Sequence, residues 1–259
     1  MENLCRGIGM PEEVTRQLLG PGICPDHRKL MRPETWEEGL KEIRAALGGD
    51  PRGIGMLRCM LRAALDAWEI YEKLSLSREI YLDTMGCFSR FVREHRESYG
   101  EYGFDRDFWT VRQVSGQLFR IGQLEYELIQ GAVSLHIPTD VQLALPLLRQ
   151  SWVQAREIIA RTFPDWAKAP YVCHSWLLSP DLAGLLPENS RILAFQRSFR
   201  VTPLELPCRG VIQWVFKNPK LSPEDYPENT SLQRSLKAFL QDGNTFRDAR
   251  GTLWADPFL

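Results

Sequence analysis

No window of the sequence approaches the roughly 18 consecutive apolar residues of a membrane-spanning helix, and residues 1–30 hold no apolar stretch behind a basic start. A membrane span and a secretory leader are therefore not expected, and the chain reads as soluble and cytoplasmic. An excess of charge of either sign is also missing. With 32 basic against 33 acidic side chains the net charge is −1, too weak a field to hold nucleic acid or a membrane surface. The six cysteines, Cys5, Cys24, Cys59, Cys87, Cys173 and Cys208, form no C-x-x-C pair and lie too far apart for a disulfide-stabilised mini-domain, a pattern that fits reduced thiols. Histidine is scarce at 4 residues, and neither His27 nor His95 has a Cys, Asp or His at metal-ligand spacing, so no metal site is expected. What is present is ordinary for a globular chain. Its 259 residues are 44% hydrophobic and 25% charged, enough for one large domain or two modest ones.

The first hundred residues carry a helical period. Trp36, Leu40, Ile43 and Leu47 recur every three or four residues and stop at Gly48 and Gly49, as in an amphipathic helix with a glycine end. Between Pro51 and Leu76 a longer stripe runs through Ile54, Leu57, Leu61, Ala64, Leu65, Trp68 and Tyr71. A third, of Ile80, Thr84, Phe88, Phe91, Val92 and His95, follows Ser77 as a natural N-cap and ends at Tyr99 and Gly100. Met56, Met60 and Met85 fall in these helices and read as core rather than as a cofactor pocket.

Beyond about residue 115 the period changes to alternation. Leu124, Tyr126 and Leu128 share one face of a strand, with Glu125, Glu127 and Ile129 on the other. Gln130 and Gly131 supply a tight turn, and residues 132–138 return as a second strand with Val133, Leu135 and Ile137 opposite Ser134 and His136. A helix follows, with Pro146 in its first turn and Leu148, Trp152, Ala155, Ile159 and Phe163 as its stripe. Residues 171–178 then form an almost unbroken apolar run, which reads as a central strand carrying His174 and Trp176 on one face and Cys173 and Ser175 on the other. After a helical stretch from Pro180 come a strand near 199–206, helices near 212–216 and 231–240, and a possible last strand at 252–255. Two imidazoles in strands are the chemical signal. A strand position among Leu, Ile, Val and Trp normally takes an apolar residue, so a buried histidine there needs a partner, a ligand or a reaction. Glu125 or Glu127 lies within reach of His136 across the hairpin, in a register that the sequence does not fix.

This order of elements, with the segments around Tyr102–Asp107, Leu118–Glu127, Ser134–Pro138 and Tyr171–Pro180, resembles a bacterial acyltransferase family. Its members join a helical N-terminal domain to a C-terminal domain like the GCN5-related N-acetyltransferases (GNAT). The resemblance implies an α+β fold, with a helical domain over residues 1–115 and a GNAT-like mixed sheet flanked by helices over 116–259. It also implies that acetyl-CoA or another acyl-CoA lies between the His136 and His174 strands, near Ile137, Thr139, Arg149, Ser175 and Trp176. The activity implied is transfer of an acyl group to an amine on a small molecule or peptide. His136, with Glu127 or Glu125 behind it, is then the first candidate for general base, and His174 the second, as base or as proton donor to the CoA thiolate.

One segment departs from the family pattern. GNAT enzymes cradle the CoA pyrophosphate in a glycine-rich turn leading into a helix, whereas residues 138–146 here contain no glycine, an acidic Asp140 and two prolines. A non-catalytic GNAT-like module that binds a ligand or a partner is therefore the alternative reading. Cys173 reads as a small buried hydrophobe, and Ser175 lacks the G-x-S-x-G surroundings of a hydrolase nucleophile. Asp107, Trp109, Arg112 and Arg120 read as structural.

Overall fold

The computed structural model describes residues 1–208, 210–217 and 221–254, and the chain divides into two compact units. The first comprises Met1–Ile121 with Glu125–Leu128, the second Gly122–Leu124 with Ile129–Leu259. The helices of the first unit are α1 (Glu2–Gly7), α2 (Glu12–Leu19), α3 (Trp36–Leu47), α4 (Ile54–Lys73), α5 (Arg78–Tyr99) and α6 (Asp107–Val114), followed by strands β1 (Leu118–Ile121) and β2 (Leu124–Ile129).

The stripes read from the sequence line this unit's core. Leu57, Leu61, Ala64 and Tyr71 of α4 are fully buried, as are Met60 and Met85, and Met56 is nearly so; burial of each large side chain contributes roughly 1.5–3 kcal/mol. The phenols that enter the core do so with their hydrogen bonds made: Tyr71 donates to the Gln113 carbonyl at 2.9 Å and Tyr81 to the Ala64 carbonyl at 2.6 Å. Ser77 caps α5 by accepting the Ile80 N–H at 3.2 Å. Gly53, which precedes α4, has φ 67°, and a Cβ there would lie 1.8 Å from the Phe104 carbonyl oxygen, so both conformation and space require glycine. Arg112 donates to the Phe108 carbonyl and stacks over Trp109, while Asp107 is paired with Arg44 at 2.5 Å, which are structural roles.

In the second unit the elements are β3 (Ala132–His136), α7 (Leu145–Thr162), β4 (Tyr171–His174), α8 (Arg191–Gln196), β5 (Phe199–Pro207), α9 (Gly210–Phe216), α10 (Ser231–Gln241) and β6 (Arg247–Leu253). Among the described residues six strands follow the order β1-β2-β3-β4-β6-β5. β3 and β4 are parallel, while β6 runs antiparallel to both β4 and β5, so the sheet is mixed and the fold is α+β, as expected. Parallel neighbours need a crossover, and α7 provides it. Its stripe of Leu148, Trp152, Ala155 and Ile159 is buried, with Trp152 edge-on to Phe199 of β5. A separate apolar cluster forms around α9 and α10, including Val211, Val215, Phe216, Leu236 and Phe246.

Two expectations change. The apolar run 171–178 is not one strand: β4 ends at His174, Ser175 accepts the Leu177 N–H at 3.2 Å, and Trp176–Leu178 closes into a 3-10 turn. A short apolar run does not distinguish a strand from a buried turn, and a serine hydroxyl able to cap the backbone N–H two residues on decides for the turn. The last strand begins at Arg247, five residues before the expected position; Ala255, its expected end, lies outside the described residues.

Candidate active site

The β3–β4 ladder pairs Val133 with Tyr171, Ser134 with Val172 and Leu135 with Cys173, and there it ends. Continued by one step, the register would set His136 opposite His174. The two histidines therefore occupy equivalent positions at the carboxyl ends of adjacent parallel strands, where the strands stop pairing. In open sheets with parallel strands, ligands bind in the crevice outside those ends. Beyond this point β4 stays with β6: His174 is in register with Arg250, and the Ser175 N–H donates to the Ala249 carbonyl at 3.1 Å.

Neither histidine is buried as the strand pattern suggested. His136 is partly buried, and the His174 side chain is 54% exposed, because each sits at a strand end. His174 nevertheless has a defined partner. Its Nε2 lies 3.0 Å from Asp248 Oδ2 on β6. The other carboxylate oxygen, Oδ1, accepts the Ala249 N–H at 2.9 Å. Asp248 thus has a backbone partner besides the histidine. A carboxylate on Nε2 selects the tautomer with the proton there and leaves Nδ1 as the acceptor.

Burial pushes the neighbouring Cys173 thiol up to about 12, and the Asp248 charge adds to this. Almost no thiolate forms there at neutral pH, which removes Cys173 as a nucleophile. Burial also raises the Cys208 thiol.

The other expected site residues are placed as follows. Glu125 is buried in the first unit, where Arg90 Nη2 donates to its Oε1 at 2.7 Å; Glu127 accepts from Arg112 Nε at 3.0 Å. Each carboxylate thus has an arginine partner. Ile137 is partly buried and Thr139 exposed in the segment between β3 and α7, and Arg149 is exposed on the second turn of α7. Ser175 uses its hydroxyl as the cap of the following turn, and Trp176 packs against the α9–α10 cluster. His27 and His95 are both partly buried; His27 lies 2.7 Å from Asp66, a partner 39 residues away that local spacing could not reveal, and His95 Nδ1 contacts the Glu101 carbonyl oxygen. Among the described residues no group of three or more His, Cys, Asp or Glu could hold a metal ion, and no helix is long and apolar enough to cross a membrane.

Two family models match the chain in tandem. The N-acyltransferase N-terminal domain matches residues 1–116, and the GNAT-like C-terminal domain matches residues 113–253, more than half of the chain. The chain belongs to this N-acyltransferase family. Solved structures of like fold include an acyltransferase in complex with decanoyl-CoA and teicoplanin, 22% identical over 97% of this chain and 86% of that one, with a TM-score of 0.83. Another is an acyltransferase in complex with CoA and 10C-teicoplanin, 20% identical over 97% of this chain and 98% of that one, with a TM-score of 0.73. No curated protein matches the sequence.

For this N-acyltransferase family member, the site residue absent from the sequence reading is Asp248. A signal for it exists. In β6 the buried positions Ala249, Gly251 and Leu253 alternate with Asp248, Arg250 and Thr252, a period of two carried by small residues rather than by large apolar ones.

Proposed function

We propose that this chain is an acyl-CoA-dependent acyltransferase that moves an acyl group onto an amine of a small molecule or peptide, with His174, held by Asp248, as the proton acceptor and His136 on the adjacent strand end. The observation that carries the reading is the end of β3–β4 pairing at the two histidines, with a carboxylate 3.0 Å behind one of them. Family membership and the decanoyl-CoA and teicoplanin bound by structures of the same fold support acyl-CoA as donor.

Where two strands separate, backbone N–H and C=O groups can pair with the pantetheine amides, and an N–H can polarise the thioester carbonyl. The amine attacks the carbonyl carbon and the C–S bond then breaks. The proton released by the amine passes to His174 Nδ1, and the leaving thiolate takes a proton back from the imidazolium. Asp248 stabilises the positive charge that forms on the ring meanwhile. General base catalysis of this kind contributes roughly 10²- to 10⁴-fold. At the other end of the donor, α7 has no acidic residue in its first turn, and Pro146 there sacrifices no helix hydrogen bond. Its N-terminal N–H groups with Arg149 would hold the pyrophosphate without a glycine-rich turn. Glu125 and Glu127, paired with arginines, support the strand that precedes β3 rather than the proton transfer itself.

The non-catalytic alternative rests on the glycine-free segment before α7, where Asp140 opposes a phosphate. A calorimetric titration with decanoyl-CoA and acetyl-CoA, followed by a thiol-release assay with a panel of amines, separates the two. A ligand at one hundred times its Kd adds about 2.7 kcal/mol of apparent stability. Binding with thiol release supports transfer; binding without release for any amine, or no binding of either thioester, supports the non-catalytic alternative.

A further inference from the structure

The sheet face that carries His174 is open over β4, β6 and β5, and strand register fixes which residues share it. Val172 of β4 is paired with Thr252 of β6, which is paired in turn with Arg200 of β5; two residues along, His174 is paired with Arg250, which is paired with Thr202. Residues directly opposite one another in a sheet point to the same side, as do residues two apart along a strand. Burial agrees. The alternating positions Cys173, Ala249, Gly251 and Phe199 are buried, whereas His174, Arg250, Thr252, Arg200 and Thr202 are exposed. Arg250 and Arg200 are diagonal neighbours on adjacent strands, a separation of roughly 7–8 Å, so two positive side chains stand together beside the candidate base. Among the described residues neither guanidinium has a carboxylate partner. The acid on the same face, Asp248, is engaged by His174 Nε2 and by the Ala249 N–H. Arg200 lies 4.9 Å over the Trp254 ring, a contact that holds a cation in place without using its N–H donors.

We infer that the acyl acceptor carries a carboxylate, and that Arg250 and Arg200 bind this group on the open sheet face while the acceptor's amine meets His174. The inference rests on the acyl-transfer reading and narrows the acceptor to amino acids and short peptides with a free carboxyl end. A guanidinium presents a planar fork of N–H donors that matches the two oxygens of a carboxylate, so two arginines on one face suit that group better than a neutral one. The dimensions fit. β6 and β5 lie about 4.8 Å and about 9.6 Å from β4, and an extended dipeptide spans about 7 Å, which sets its carboxylate at the arginines when its amine is at the histidine. The charges also act on the amine. Two guanidiniums against one carboxylate leave a positive surplus, which disfavours the ammonium form and increases the fraction of neutral amine able to attack the thioester.

The test measures acceptor binding and turnover separately. Glycylglycine and glycylglycinamide, which differ at the carboxylate alone, are titrated by NMR into the full chain saturated with CoA, and each is then supplied with decanoyl-CoA in a thiol-release assay. Glycylglycine should bind roughly 10-fold or more tightly than the amide and show a kcat/KM higher in proportion, the range of a charge-assisted hydrogen bond. The preference should shrink as salt is raised. Arg250→Gln and Arg200→Gln should each remove most of it, with thermal melts to show that the fold is kept. Equal binding of acid and amide, binding of neither, or a preference that survives both variants overturns the inference; the wild-type comparison decides even if a variant fails to fold. Variants that weaken decanoyl-CoA in place of the dipeptide overturn it too, by assigning the arginines to the phosphates of the donor. Carboxylate-dependent binding without thiol release keeps the site and removes the transferase reading, whereas thiol release with equal use of acid and amide does the reverse.

Discussion

Replacing Asp248 by Asn removes one charge and almost no volume, so it isolates what the carboxylate does for His174. At 3.0 Å a charge pair in a medium of effective dielectric about 20 would interact by about 5 kcal/mol. His174 is half-exposed and Asp248 is 24% exposed, and solvent screening at such sites leaves most pairs with about 1 kcal/mol or less. A charge-assisted hydrogen bond that also fixes the ring contributes roughly 1.5–3 kcal/mol. Between these limits, Asp248→Asn should raise the barrier by about 1.4 to 2.8 kcal/mol, a 10- to 100-fold fall in kcat. KM for acyl-CoA should not change, because the carboxylate acts through the histidine. The assay is thiol release at saturating acyl-CoA, with a thermal melt to show that the fold is kept. Combined with His174→Ala, the Asn variant should add no further loss, since both act through one group. A kcat within twofold of wild type, or a full additional loss in the double variant, refutes the assignment.

Three other outcomes follow from the same geometry. His174→Ala should lower kcat by roughly 10²- to 10⁴-fold and His136→Ala by less, while both bind acyl-CoA with unchanged affinity in calorimetry; unchanged turnover in both removes the histidines from the mechanism. Arg90→Met leaves the buried Glu125 without the 2.7 Å guanidinium contact and should cost about 3–5 kcal/mol in urea unfolding, most of it recovered in Arg90→Met/Glu125→Leu; a loss below about 1 kcal/mol would contradict the pairing. Burial works to raise the Asp181 carboxyl, but the Arg247 side chain and backbone N–H outweigh it and hold it below the usual carboxylate range. A lowered folded-state value means that the stabilisation is complete above the unfolded value of about 3.9 and is lost as pH falls through the folded one. Asp181→Asn should therefore flatten the decline of the urea midpoint from about pH 4 downward, and an unaltered decline would show that the pair contributes nothing.

Much of the fold was legible because long periodic stripes leave little choice. α4 and α5 follow apolar spacings sustained over five turns or more, and Ser77 and Gly100 mark the ends of α5 with residues suited to a cap and a left-handed stop. The failures are short and local. Residues 171–178 hold enough aromatic and apolar side chains for a strand, yet the Ser175 hydroxyl and the end of the β3 ladder turn the chain after four residues. β6 was placed late because Ala249 and Gly251 are too small to announce a buried face, although a Cβ at Gly251 would lie only 2.9 Å from Phe199 Cβ, which shows how closely that face is packed.

The same distinction governs the candidate site. Sequence alone marks His136 and His174 as polar residues in apolar runs, and burial seemed to be what required a reason. In the folded chain neither is buried, and what relates them is a register that no local pattern encodes: one further step in a ladder that stops at Leu135 and Cys173. The carboxylate that gives His174 a direction comes from a strand 74 residues later, inserted next to β4 by an antiparallel pairing. Glu125 and Glu127 were nearer in sequence and better placed for a hairpin, but Arg90 and Arg112 engage them within the helical unit. Proximity in sequence points to Glu125 and Glu127, whereas the carboxylate beside His174 is carried by β6, which reaches β4 only after the chain has built α8, β5, α9 and α10.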